Sequence, residues 1–136
     1  MKSQVLEWSE ELATGLDIVD NQHKGLINFI NDLTNNIDLD HKKELKYFNS
    51  VKDEITNYII EHFSTEENIM ELNNINKRFL DQHRYEHSTF IKKIGGIIET
   101  SEINFSLDDV VFFLIEWVIN HINQTDKNSL NKGMIT

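Results

Sequence analysis

Three close pairs of metal-ligand residues stand in this sequence: His62 with Glu66, His83 with His87, and His121 with Asp126. A further histidine, His23, stands alone near the start. The first two pairs are spaced i, i+4, which on an α-helix puts both side chains on one face, one turn apart. Imidazole and carboxylate together suit zinc, iron and other first-row metals. The set takes five of the six histidines in the chain. The sixth, His41, stands in a polar stretch and reads as an ordinary solvated side chain.

Ligand pairs on helices need a scaffold that turns them toward one another, and the apolar pattern supplies one. Four stretches carry a 3.6-residue period. The first stripe runs Leu16, Val19, His23, Ile27, Ile30, Leu33 and Ile37; the second runs Phe48, Val51, Ile55, Ile59, His62, Glu66 and Ile69. The third takes Phe79 or Leu80, His83, His87, Phe90 or Ile91, Ile94 and Ile98, and the fourth Leu107, Val110, Val111, Leu114, Val118 and His121. The breaks between them are polar. Asp38 or Asp40 is available to cap the second helix, and Ser106 with Asp109 resembles a capping box with Asp in place of Glu. The absence of proline permits long helices. The chain therefore reads as all-α, an up-down-up-down four-helix bundle in a single domain over 1–136, with an arm at 1–15 anchored by Trp8 and helices at about 16–37, 42–72, 77–99 and 106–127. Gly95-Gly96 conflicts with the third helix, since each glycine costs about 1 kcal/mol in a helix interior.

Composition narrows the chemistry. A formal net charge of −10 opposes any general affinity for nucleic acid or anionic lipid. No apolar run approaches the length of a membrane span. Residues Met1 to Trp8 lack the apolar stretch of a signal peptide, so a cytoplasmic protein without membrane insertion is expected. Without cysteine there is no disulfide, thiolate zinc site, iron–sulfur cluster or Cys-x-x-Cys-His haem attachment.

A single histidine on an apolar stripe is usually a hydrogen-bonded core residue. The joint pattern outweighs that reading, because every helix contributes a candidate on its inward stripe. Glu66, in line with His62, needs a buried cation, since buried carboxylates persist only when paired or coordinated. Seven ligands exceed the four of a structural zinc site; two ions bridged by carboxylates account for all of them. The Glu-x-x-His of the ferritin-like di-iron bundles and the His-Glu-x-x-His of zinc proteases are both absent from the sequence.

The segments Val19-Asp20-Asn21-Gln22-His23, His62-Phe63-Ser64-Thr65-Glu66-Glu67, His83-Arg84-Tyr85-Glu86-His87 and Trp117 to Asp126, with Trp8 in the arm, resemble the hemerythrin family in its bacterial single-domain form. The likeness covers nearly the whole chain. It implies that His83, His87 and His121 hold one iron and His23 and His62 the other. Glu66 and Asp126 would then bridge both, together with an oxo or hydroxo group. On that ligand set the first iron is saturated and the second keeps one position for dioxygen. His121 and Asp126, spaced i, i+5, fall about 140° apart on a regular helix, so a long reach or a distorted last turn must reconcile them. The electrons and the bridge proton would move onto oxygen together, leaving the net charge of a buried site unchanged, which limits the electrostatic cost.

The resemblance thus implies reversible dioxygen binding for storage, transport or delivery, with an oxygen-using enzyme as a partner, and no enzymatic activity of the chain itself. A monomer is expected. The alternatives are a di-iron enzyme acting on nitric oxide or peroxide, an oxygen or iron sensor, for which this length leaves no output domain, and a zinc-loaded or metal-free structural bundle. A dry apolar pocket is required, because water and protons would leave the site ferric. Helical offset nominates Ile27, Phe63, Trp117 and Ile119 for it. Ile119→Ala is expected to speed autoxidation of the oxygenated form; an unchanged rate removes Ile119 from the pocket.

Overall fold

Each apolar stripe can leave water only against another stripe, and four helices joined by short links meet that demand by running antiparallel. The computed structural model describes residues 6–100 and 105–122. A single 3₁₀ turn (Glu10–Leu12) precedes α1 (Asp17–Thr34), α2 (His41–Leu72), α3 (Lys77–Thr100) and α4 (Leu107–Asn120). Side-chain contacts fix the directions. Gln22 near the start of α1 bonds Thr65 late in α2. Phe90 on α3 stacks on Phe113 midway along α4, whereas His83, two turns earlier in α3, meets His121 at the end of α4. The result is a four-helix bundle, with α1 packed on α2 and α4, and α2 packed also on α3 and α4.

The core has two unequal parts. The larger includes Leu26, Ile30, Phe48, Ile55, Ile59, Phe90, Leu107, Leu114 and Val118. A smaller cluster joins Val19, Met70 and Ile75. On α1, α2 and α3 the histidines fall in sequence between the residues of these two clusters, so a polar layer crosses the bundle with apolar packing on either side.

The small cluster exists because of how α2 stops. Asn74 takes a left-handed backbone, φ 51°, which asparagine tolerates better than most residues. The Ile75 N–H then returns to Met70 O at 3.0 Å and the Asn74 N–H to Glu71 O at 3.2 Å. This pair of bonds is a Schellman motif, and its customary hydrophobic contact is the one seen between Ile75 and Met70.

At the opposite end the buried charge is Glu44, 1 % exposed. Asp40 caps α2 by accepting the Lys42 N–H. Ser106 occupies the corresponding position of α4 but makes no side-chain cap bond, in contrast to the capping box its spacing suggests. Instead the Leu107 N–H donates to Glu44 Oε1 at 3.3 Å, while Oε2 accepts the Asp38 N–H at 2.9 Å. His41 completes the group, its Nδ1 2.7 Å from Glu44 Oε1. It is the first residue of α2 and, though exposed, is paired rather than simply solvated. One carboxylate thus ties the link between α1 and α2 to the start of α4.

The arm is held by backbone recognition. Asn31 on α1 accepts the Leu6 N–H at 3.0 Å and donates to Leu6 O at 2.9 Å. Trp8 packs on the main core beneath Lys24, whose ammonium lies 5.1 Å from the indole centroid. Asp20 then accepts from the Thr14 N–H and hydroxyl, each at 2.8 Å, fastening the turn that leads into α1. Gly95 and Gly96 are exposed, and a Cβ on either would meet nothing within 4 Å; no close helix approach accounts for them. Among the described residues no helix is long and apolar enough to cross a membrane.

The Glu44 cluster has a definite pH signature. Burial alone would push the Glu44 carboxyl up, yet the Asp38 N–H, His41 and the Leu107 N–H together hold it below its ordinary 4.5. The bond to Glu44 lifts His41 above its ordinary 6.5. A lowered carboxyl contributes stability above its unfolded value and loses it as pH falls; a raised imidazole contributes below its unfolded value and loses it as pH rises. The pair is therefore complete between 4.5 and 6.5. His41→Ala should lower the melting temperature within that window and converge with wild type at higher pH. Glu44→Ala, which strands two backbone N–H groups, should cost about 1–3 kcal/mol in urea titrations at neutral pH.

Candidate metal centre

α1 brings in His23, α2 His62 and Glu66, α3 His83 and His87, and the end of α4 His121. All are buried; His23, His62, Glu66 and His83 are 0 % exposed. Glu66 lies at the middle of the layer. Its Oε1 is 2.5 Å from His62 Nε2 and 3.5 Å from His121 Nε2, and its Oε2 is 3.5 Å from His83 Nε2. Two sets of ligand atoms converge. One comprises Glu66, His83, His87 and His121, the other His23, His62 and Glu66, and within each the atoms lie within 4.8 Å of one another. Among the described residues the two sets share Glu66 alone.

The rings are aimed by what stands behind them. Thr65 donates its hydroxyl to Glu61 O at 3.0 Å, so its oxygen is left to accept from Gln22 Nε2 at 3.1 Å. That fixes the Gln22 amide, whose Oε1 then faces His62 Nδ1 at 2.7 Å. Because an amide oxygen can only accept, His62 carries its proton on Nδ1. Tyr58 adds a bond from its hydroxyl to Gln22 O at 3.0 Å. It reaches there only because Gly25 has no side chain; a methyl at that position would collide with the Tyr58 hydroxyl.

Across the layer His87 Nδ1 lies 2.8 Å from Glu67 Oε2, and Arg84 binds the other oxygen of Glu67 at 3.2 Å while also pairing with Glu71. His83 Nδ1 faces Phe79 O at 3.3 Å, and His121 Nδ1 lies 3.4 Å from Glu86 Oε2. Burial pushes the His87 imidazole down to about 4, against the pull of Glu66 and Glu67. It is therefore neutral at neutral pH, with one proton, held at Nδ1.

This arrangement tests whether a cation fits. With Nδ1 of His62 and His87 engaged outward, each Nε2 presents a lone pair to the interior. Both Nε2 atoms are buried and form no hydrogen bond with any described residue. His62 Nε2 in particular faces a carboxylate oxygen at 2.5 Å. A lone pair against an anion is repulsive, and only a proton or a metal ion between them reverses the sign. The outward bond from Nδ1 with Nε2 aimed inward is the usual pose of a metal-binding histidine. The donor set, imidazole nitrogen with a shared carboxylate, suits first-row metals.

Aromatic rings line the layer. Phe63 stacks on His87 with centroids 3.8 Å apart and planes 7° from parallel, and also touches His62, His121 and Trp117. Trp117 stacks on His121 at 4.5 Å and 16°. Ile27 is buried in the larger core one turn beyond His23. Ile119 is half-buried and belongs to neither apolar cluster. His121 caps α4, its backbone N–H bonding to Trp117 O and Val118 O. Asp126 lies outside the described residues.

The ligand stripe was readable from spacing. Gln22, Glu67, Arg84, Tyr58 and Gly25 were not, because their roles depend on partners in other helices. Gln22, Glu67 and Arg84 each adjoin a ligand residue, and that adjacency is the signal the sequence gave.

The family model described as the hemerythrin HHE cation binding domain matches residues 14–131. A bacteriohemerythrin of Pseudomonas aeruginosa (strain UCBPP-PA14) is 30% identical over 122 residues, covering 89% of this chain and 76% of that protein. One from Clostridium acetobutylicum is 28% identical over 132 residues, with 91% and 98% covered. A myohemerythrin of Theromyzon tessulatum is 28% identical over 121 residues, with 88% and 87% covered.

Proposed function

Because the chain belongs to the hemerythrin HHE cation-binding family, we propose that it holds two non-haem iron ions in the polar layer and binds dioxygen reversibly there, for oxygen storage, transport or delivery. The observation that carries this reading is the pair of ligand sets that Glu66 joins among the described residues. Three imidazoles converge in one and two in the other, each with the same carboxylate. His83, His87 and His121 are assigned to one ion, His23 and His62 to the other, and Glu66 to both. Asp126 is assigned as the second bridging carboxylate on its place in the sequence motif.

Bound iron would supply the reversible electron transfer that dioxygen binding requires. The residues supply the rest. With three imidazoles in one set and two in the other, the two-histidine set would leave its ion more room for an incoming ligand. Phe63 and Trp117, stacked on His87 and His121, shield ligand atoms from water, and Ile27 continues an apolar wall from His23. Such shielding disfavours the loss of reduced oxygen to solvent.

Iron analysis together with absorption spectra checks the proposal. Reduced protein should contain two irons per chain, change its spectrum in air and recover it under argon. A metal content below two, or a spectral change that does not reverse, overturns the carrier reading; turnover of nitric oxide or peroxide would replace it with an enzyme. Metal should also stabilise the fold, by about 2.7 kcal/mol at a free concentration one hundred times the dissociation constant.

A further inference from the structure

The histidines of the layer differ in what stands behind them. His87 has the Glu67 carboxylate at 2.8 Å, and His121 has Glu86 Oε2 at 3.4 Å. His62 has the Gln22 carboxamide at 2.7 Å. Glu67 and Gln22 each accept a ring proton, but only the carboxylate adds negative charge. A carboxylate behind an imidazole draws on the Nδ1 proton and makes Nε2 the more basic ligand.

Resting on the two-metal reading above, we propose that this difference makes the two metal positions electronically unequal. Glu67 enriches the three-histidine position, and Gln22 is the positioning residue that orients His62 while keeping charge away from the two-histidine position. The consequence is chemical as well as geometric. A donor-rich position stabilises the ferric state, whereas a charge-poor one retains more Lewis acidity for an incoming ligand.

The structure shows how each partner is kept in place. The Gln22 amide cannot turn over without setting its NH₂ group against the N–H of His62 and giving up Thr65, whose hydroxyl is committed to Glu61 O. Glu67 is anchored from outside by Arg84. Arg84 is half-exposed, so water screens its charge and the carboxylate still reaches His87 as an anion.

Two substitutions reverse the assignment while each retains an acceptor for the ring proton. Glu67→Gln removes the charge behind His87. Gln22→Glu adds one behind His62, where the Thr65 hydroxyl must give up Glu61 O to donate to the new carboxylate. Spectroelectrochemistry of the iron-loaded proteins reads both reduction steps. Glu67→Gln should raise the summed potential and Gln22→Glu should lower it. Structural damage has no reason to act with opposite sign at the two places, so shifts in the same direction, or none, overturn the inference.

Zinc titration of the metal-free chain gives a second readout. Gln22→Ala should weaken one of two equivalents by about 10- to 100-fold and leave the other nearly unchanged; equal weakening of both counts against the inference. Wild-type protein that takes up fewer than two equivalents overturns the site reading and this inference with it. Two equivalents with unshifted potentials overturn the inference alone. Circular dichroism establishes folding of each variant, and Glu67→Gln, on the rim of the layer, carries the test if Gln22→Glu does not fold.

Discussion

Everything in this bundle is arranged around one electrostatic conflict, the placing of histidine lone pairs against the buried carboxylate of Glu66. In water these groups would be solvated separately. Here they are brought together by the packing of Phe48, Ile55, Phe90, Leu114 and their neighbours on one side and of Val19, Met70 and Ile75 on the other. The apolar burial must outweigh the desolvation of the polar layer for the chain to fold before a cation arrives. With a cation present the same layer changes from a cost to a source of stability, because ligand binding that requires the folded state adds to its free energy.

The conflict also explains why so much hydrogen bonding lies just outside the ligand stripe. A neutral imidazole has one proton, and where that proton sits decides whether Nε2 can bind anything. For His62 the decision runs through Gln22 and Thr65 to the backbone oxygen of Glu61, and for His87 through Glu67 to Arg84. These outer partners come from neighbouring helices, so the tautomers are settled only when α1, α2 and α3 are docked. Tertiary packing and ligand chemistry are in this sense one event.

How far the sequence disclosed this follows the reach of each interaction. Helical stripes are local, so His62 with Glu66 and His83 with His87 announced both their helix and their inward face. The fold class followed from four such stripes. Glu44 was hidden, since a glutamate near a polar link reads as solvated, and its burial depends on a backbone N–H 63 residues away. Ser106 misled in the complementary way, its capping pattern being present while the bond is made by Glu44. Gly25 could be read only once Tyr58 was in place beside it, and the Asn31 clamp only once the arm lay along α1.

That clamp separates two properties of the arm that are usually fixed together. A side-chain amide that grips the N–H and C=O of residue 6 recognises a peptide group, which every residue but proline offers. Asn31 therefore supplies adhesion without choosing which residue it holds. Choice falls to Leu6, Trp8 and Leu12, whose side chains all pack on the core. A slip of one residue would preserve both amide bonds but turn an extended segment over, since side chains alternate faces, and the indole would be carried away from Lys24. The arm is accordingly held through a peptide group at Leu6 and aligned by the side chains that pack on the core.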